Sequence, residues 1–277
     1  MPLISIITPV YNSSSFIESC ILNVISQRCS EIEHLIIDGD STDGTIEIIK
    51  KFASQYSHIH WISEKDKGQS DAMNKGILNA QGDFISFLNV DDYYSEGTIN
   101  EWLSILKKDS NLNFIVGNCN VWDDNNNLIY INKPKKLKVW HLLSNYYLPV
   151  NPSAYLYRKE LHNYIGFYNL NNHFNMDVEF LLCTAKQFEL KYFDRTWGNF
   201  RLIQGTKTKT EIENKLLESR KKKLFIEFLK SQNFKIIFLT NWVILNKKIF
   251  KIRRLGYKFL KTPFEMVYFK LKKMLFV

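Results

Sequence analysis

The chain is poor in the features that would place it in several large classes. Its 277 residues hold four cysteines, Cys20, Cys29, Cys119 and Cys183, which are far apart and form no Cys-x-x-Cys pair. That spacing indicates neither a zinc site nor a disulfide framework, and it fits a reducing, cytoplasmic setting. Residues 1–7 lack the basic start, long apolar core and small-residue cleavage site of a secretory signal. The apolar stretches near the C-terminus, 236–245 and 264–276, are shorter than the roughly 20 residues needed to cross a bilayer and are flanked by charge. The basic run Arg220-Lys221-Lys222-Lys223 has no helix-turn-helix, zinc finger or RNA-binding aromatic motif beside it. No nucleic-acid partner is expected.

What is present is a core-forming composition with an uneven charge. At 45% hydrophobic and 14% aromatic, the chain can bury one large domain, or one domain plus an appendage. Residues 206–277 hold 19 Lys and Arg against 5 Asp and Glu, a net +14, which leaves −5 for residues 1–205 of a chain whose total is +9. We therefore divide the chain into a body, 1–205, and a basic helical C-terminal region, 206–277. In the latter, Phe264, Val267, Tyr268, Leu271 and Leu275 recur at helical spacing beside Lys270, Lys272 and Lys273. Such a helix suits an anionic membrane surface, the plainer alternative being packing on the body with its lysines in water. The expected location is peripheral, at the inner face of the cell membrane.

Along the body, short β-branched runs (3–10, 34–38, 58–63, 83–89 and 113–121) alternate with amphipathic helical stretches (14–27, 45–56, 70–80 and 96–108). This alternation predicts an α/β fold with a mainly parallel central sheet flanked by helices. In such sheets ligands bind beyond the carboxyl ends of the strands. Polar residues gather at those ends: Tyr11 and Asn12 after the first run, Asp38 to Gly44 after the second, Glu64 to Asp71 after the third, Asp91 and Asp92 after the fourth.

Two adjacent carboxylates at the end of a buried run are costly to leave unpaired, so they point to a cation or a polar ligand. Asp38 also ends a buried run where a turn needs no carboxylate. Single pieces have plainer readings: Thr42 or Asp43 as a helix cap, 66–68 as a surface turn, Asp71 as a partner of a helix dipole.

As a set, Ser5-Ile6-Ile7-Thr8-Pro9-Val10-Tyr11-Asn12, Ile37-Asp38-Gly39-Asp40-Ser41-Thr42-Asp43-Gly44-Thr45, Ser63-Glu64-Lys65-Asp66-Lys67-Gly68, Asp71-Ala72-Met73-Asn74-Lys75-Gly76 and Phe87-Leu88-Asn89-Val90-Asp91-Asp92 resemble the family 2 glycosyltransferases, enzymes of the GT-A fold. The resemblance implies that Pro9, Tyr11 and Asn12 line a nucleotide pocket and that Asp38 accepts bonds from the base or ribose. It implies that Asp66, Gly68, Asp71 and Asn74 border the nucleotide and sugar. Asp91 would touch the ribose, and Asp91 and Asp92 would hold Mg²⁺ or Mn²⁺ on a diphosphate. Asn89 stands where the fuller acidic element begins with Asp.

In the second half, Asn175-Met176-Asp177-Val178-Glu179-Phe180 resembles the family's acidic motif, with Asp177 as the expected general base and Glu179 as runner-up. A cap on the following helix is the plainer role for Asp177. Asn151, where relatives often carry a histidine, and Arg201 and Lys207, beside Ile203 where relatives often have another, are expected acceptor or diphosphate contacts. The implied activity is an inverting, metal-dependent transfer from a nucleoside diphosphate sugar, UDP-linked, to a hydroxyl of a glycan or lipid-linked acceptor in surface polysaccharide or lipopolysaccharide synthesis. A sugar nucleotidyltransferase would show a glycine-rich, lysine-bearing loop where Val10-Tyr11-Asn12-Ser13-Ser14 stands. A non-catalytic scaffold on a decayed transferase fold is the other alternative.

Overall fold

The computed structural model describes residues 2–144, 147–172 and 174–254. The amphipathic segment 264–276 lies outside these residues.

The chain opens with three strand-helix pairs: β1 (Ile4–Val10), α1 (Ser14–Ser26), β2 (Ile32–Asp38), α2 (Thr45–Gln55), β3 (Ile59–Ser63) and α3 (Gln69–Asn79). Then come β4 (Phe84–Phe87), β5 (Tyr93–Tyr94), α4 (Thr98–Lys108), β6 (Phe114–Trp122), β7 (Leu128–Asn132) and α5 (Val139–Leu142). A 3-10 turn (Pro152–Ala154) leads to β8 (Tyr155–Arg158), α6 (Leu161–Ile165), α7 (Met176–Gln187) and β9 (Leu190–Arg201). The chain continues in α8 (Lys207–Glu213), α9 (Leu217–Lys230) and α10 (Phe234–Arg254).

The strands form one sheet in the order β3-β2-β1-β4-β8-β6-β9-β5, with β7 paired to β6. The parallel half is β3-β2-β1-β4, as the alternation predicts. Beyond β4 the sheet is mixed, because β8 enters antiparallel between β4 and β6 while β9 runs parallel to β6. A strand that arrives from a 3-10 turn rather than a crossover helix can insert in this direction.

Every residue of β1 and of β2 is buried, the pattern of strands covered on both faces. In β1, Ile4 and Ile6 face a core with Trp102 and Trp197, whereas Ile7 faces one with Met73, Phe114 and Phe180. The second core extends past the expected boundary at residue 205. Phe225 of α9 belongs to it, Ile236 of α10 packs on it, and α10 lies against α5. Among the described residues no helix is long and apolar enough to cross a membrane.

One polar group is sealed inside the first layer. His34 in β2 is fully buried, its Nε2 2.9 Å from Thr8 Oγ1, and its Nδ1 has no hydrogen-bond partner among the described residues. Burial, with His58 adding to it, pushes this imidazole down from 6.5 to about 3. The unfolded chain therefore takes up the proton first as pH falls, and the stability present above 6.5 is lost through the window down to about 3. Urea titration at pH 7 and pH 5 is expected to show the parent losing about 2 kcal/mol more than His34→Gln. Equal losses would place the pH sensitivity elsewhere.

Candidate active site

The strand ends of the parallel half form a rim whose loops are sewn together. Gly39 N donates to Val10 O at 2.9 Å, Asn12 N to Ser41 Oγ at 2.8 Å, and Thr42 N to Asn12 Oδ1 at 2.9 Å. Asp38 lies beneath this seam, fully buried. Its Oδ2 accepts from Asp40 N and Ser41 N, both at 3.0 Å, and from Ser63 Oγ at 2.7 Å, while its Oδ1 accepts from Ser41 Oγ at 2.5 Å. Asp38 was expected to meet a base or ribose. The structure turns it inward, because a carboxylate buried at a strand end needs donors, which its own loop and Ser63 of β3 supply.

A cavity of about 640 Å³ opens between the rim and the segments 150–152, 174–177 and 200–208. Of the expected site residues, Pro9, Tyr11, Asn12, Asp66, Gly68, Asp91, Asn151 and Asp177 line it. Tyr11 is 62% exposed. Asp66 Oδ1 accepts from Gly68 N at 2.7 Å, and its Oδ2 lies above Gly39, where a Cβ would sit 2.5 Å from that oxygen and 3.3 Å from Tyr11 Cδ2. The missing side chain at position 39 is what lets the Asp66 carboxylate come in beside Tyr11.

Asp71 and Asn74 do not line the cavity. Asp71 Oδ2 accepts from Lys67 N at 3.0 Å and faces Lys75 Nζ at 3.7 Å. Asn74 donates to Tyr168 O at 2.8 Å and accepts from Tyr168 N at 2.9 Å. Both hold α3 in place, one to its own loop and the other to the segment before α7.

The adjacent carboxylates divide. Asp91 lines the cavity, whereas Asp92 is buried behind it. Asp92 Oδ2 accepts from Asn151 Nδ2 at 2.7 Å and Asn89 Nδ2 at 3.1 Å, and its Oδ1 accepts from Arg201 N at 3.0 Å. With three protein donors it ties these segments together behind the wall. Asn151 is occupied likewise, its Oδ1 accepting from Ser153 N at 2.9 Å and Ser153 Oγ at 2.6 Å. Close by, a Cβ at Gly198 would lie 2.9 Å from Ala154 N and nearer still to Ser153 Oγ, so only glycine lets β9 approach this turn.

Arg201 also faces inward. Its Nε donates to Asp91 O, and its guanidinium lies over the rings of Phe16 at 5.6 Å and Tyr93 at 5.9 Å. Glu179 accepts from Asn172 Nδ2 at 2.7 Å and is not part of the cavity wall, and Lys207 opens α8. Asp177, in the first turn of α7, does form part of the wall, with its Oδ1 accepting from Val178 N at 2.8 Å. Behind it stand the phenols of Tyr155 and Tyr168, which burial, and then the Asp177 charge, push up.

Sequence reasoning missed Phe16, Phe174, Gln204 and Leu217, which also line the cavity. Gln204 sits in the segment that drew attention to Arg201. Leu217 carried no signal, since it lies in α9, beyond the expected end of the body.

A family model described as glycosyl transferase family 2 matches residues 5–169. The chain belongs to this family. Relatives include an uncharacterized glycosyltransferase of Haemophilus influenzae, 36% identical over 107 residues that make up 38% of this chain and 43% of the relative. The putative teichuronic acid biosynthesis glycosyltransferase TuaG of Bacillus subtilis is 34% identical over 110 residues, 39% of this chain and 44% of TuaG. The match thus spans less than half the length of these curated relatives. Among solved structures, the chain is similar to residues 1–349 of TarS from S. aureus in complex with UDP-GlcNAc, with a TM-score of 0.60 and 17% identity over 88% of this chain and 81% of that one. It is also similar to the mannosyltransferase PcManGT from Pyrobaculum calidifontis in complex with GDP-Man and Mn²⁺, with a TM-score of 0.64 and 12% identity over 99% of this chain and 81% of that one. These two likenesses establish the GT-A fold.

The family 2 cavity is acidic. Asp66, Asp91 and Asp177 line it, and no Lys or Arg does so among the described residues. Burial, and then the charge of Asp91, push the Asp92 carboxyl well above the ordinary carboxylate range, against the pull of its donors. Burial also raises Asp91, opposed first by a bond from its own backbone N–H and then by the Arg201 guanidinium. A diphosphate beside these carboxylates would meet like charge, which a cation would offset. Among the described residues no three His, Cys, Asp or Glu groups converge to form a metal cage. The donor set instead fits Mg²⁺ or Mn²⁺ held by the Asp91 carboxylate, with diphosphate oxygens and water completing the shell.

The two carboxylates are therefore separable by experiment. Asp91→Asn is expected to keep the urea midpoint of the parent and to lose Mn²⁺-dependent nucleotide binding. Asp92→Asn turns an amide NH₂ toward groups that are themselves donors, and it is expected to cost about 1–3 kcal/mol of stability. The opposite pattern would make Asp92 the cation ligand.

Proposed function

We propose that this family 2 protein transfers a sugar from a nucleoside diphosphate sugar, uridine-linked, to a hydroxyl of a glycan or lipid-linked acceptor, with inversion at the anomeric carbon. The observation that carries the reading is one cavity holding an exposed ring beside a carboxylate at Tyr11 and Asp66, with the separate carboxylates Asp91 and Asp177 in the same wall. The Tyr11 ring offers a stacking face, and Asp66 Oδ2 an acceptor for the imide N–H of uracil. The bound UDP-GlcNAc of TarS, and the GDP-Man and Mn²⁺ of PcManGT, support donors of this class.

A divalent cation on Asp91 would neutralise charge that builds on the departing diphosphate. Asp177 takes the proton from the acceptor hydroxyl while that oxygen attacks the anomeric carbon from the face opposite the diphosphate. The new bond is carbon to acceptor oxygen, the broken one is carbon to phosphate oxygen, and the electron pair leaves with the nucleoside diphosphate. One displacement inverts the centre. Surface polysaccharide synthesis at the inner face of the cell membrane, with the basic region 206–277 toward anionic lipid, is the setting we assign.

Isothermal titration with UDP, GDP, CDP and dTDP, each with Mn²⁺ and with EDTA, tests the donor site. UDP is expected to bind only with the metal. Asp66→Ala is expected to weaken UDP by about tenfold or more, and CDP, which lacks the imide N–H, by less. A folded protein that binds no nucleotide would bring forward the non-catalytic scaffold.

For Asp177, hydrolysis of the sugar nucleotide, with water standing in for the acceptor, gives the readout. Asp177→Asn is expected to lower kcat by about 10²–10⁴ with UDP affinity unchanged. An unaltered rate would move the base elsewhere.

A further inference from the structure

Beside the cavity the rim carries an apolar arm. β6 and β7 pair as a hairpin from Cys119↔Asn132 to Trp122↔Leu128. Four consecutive residues of β7, Leu128, Ile129, Tyr130 and Ile131, are 45%, 51%, 48% and 42% exposed. Alternate side chains of a strand point to opposite faces, so both faces of β7 are about half exposed among the described residues. Such a run of exposed apolar side chains departs from ordinary soluble surface and marks a contact site. The arm is rooted at the cavity wall, since Leu202 N donates to Trp122 O at 2.9 Å and Gln204 N to Asp124 Oδ1 at 2.6 Å.

The charge around the arm narrows the partner. Lys133, Lys135, Lys136 and Lys138 follow β7 within six residues, and all are exposed. Against them stand Asp194, 3.2 Å from Lys133, and at the turn Asp123 and Asp124, the latter 3.3 Å from Lys209. A basic excess remains at Lys135, Lys136 and Lys138. The next element, α5, packs against α10, so the fold sets this run next to a helix that holds six Lys and Arg and no Asp or Glu over residues 234–254. Aliphatic and aromatic side chains flanked by lysines match an anionic lipid interface, where rings and aliphatics enter at headgroup depth and ammonium groups meet phosphates.

We propose that the β6–β7 hairpin is an interfacial anchor for an anionic bilayer. Leu128 to Ile131 enter the headgroup region, Lys135, Lys136 and Lys138 meet lipid phosphates, and the cavity mouth is thereby held at the membrane surface. This contact draws on residues 128–138 and does not depend on the sugar donor.

The test uses the full chain carrying Tyr130→Trp, with vesicles of phosphatidylcholine and phosphatidylglycerol and a second set with brominated acyl chains. The emission gained over the parent is expected to shift to the blue on vesicle binding and to be quenched by the brominated lipid. Ile129→Ser with Ile131→Ser is expected to weaken vesicle binding by about tenfold, and Lys135→Gln with Lys136→Gln by about the same, with circular dichroism unchanged in both. Binding to vesicles with the emission left at its aqueous position would assign attachment to the C-terminal region alone and overturn the proposal, as would the absence of vesicle binding. A concentration-dependent dimer in sedimentation that Ile129→Ser abolishes would make the arm a contact between copies, again overturning it.

Discussion

Asp92 is a charge-bearing group in a place where water cannot reach it, and the surrounding architecture follows from how its acceptors are filled. Stranding a carboxylate there would cost several kcal/mol. The donors come from three stretches that are distant in sequence: Asn89 at the end of β4, Asn151 ahead of the 3-10 turn, and the backbone of Arg201 at the end of β9. Satisfying one carboxylate thus joins the parallel half of the sheet to its mixed half. Gly198 allows the close approach of β9, and Arg201 turns its side chain back onto the Asp91 carbonyl.

With Asp92 held behind the wall, its neighbour Asp91 is left facing the cavity. The same economy of acceptors applies at Asp38, whose own loop and Ser63 of β3 fill its oxygens and so shape the seam on which Tyr11 and Asp66 stand. Buried acids hold the backbone, and the acids left in the wall give the cavity its negative charge. That charge makes a cation part of the proposed donor site rather than an accessory to it.

The basic half of the chain is built into this arrangement as well. Phe225 of α9 enters the core, Leu217 forms part of the cavity wall, and α10 lies on α5. The change in charge at residue 206 is therefore a change in what the surface meets more than an edge between packed units. Net charge describes solvated side chains, whereas packing is decided by the apolar ones between them.

The sequence by itself determined the α/β class, the parallel half of the sheet, the rim at the strand ends and the family, because strand-helix alternation and short motifs at strand ends are local patterns. It also marked Tyr11, Asp66, Asp91 and Asp177, which do line the cavity. Only the tertiary structure decided which acids face outward. Asp38 and Asp92 read like their neighbours along the chain, and what separates them is the set of donors that folding brings within 3.1 Å. Leu217 and the exposed arm at 128–131 were silent for a related reason: apolar residues in a helix or strand look the same whether they face a core, a cavity or open solvent, and only the neighbouring layers settle it.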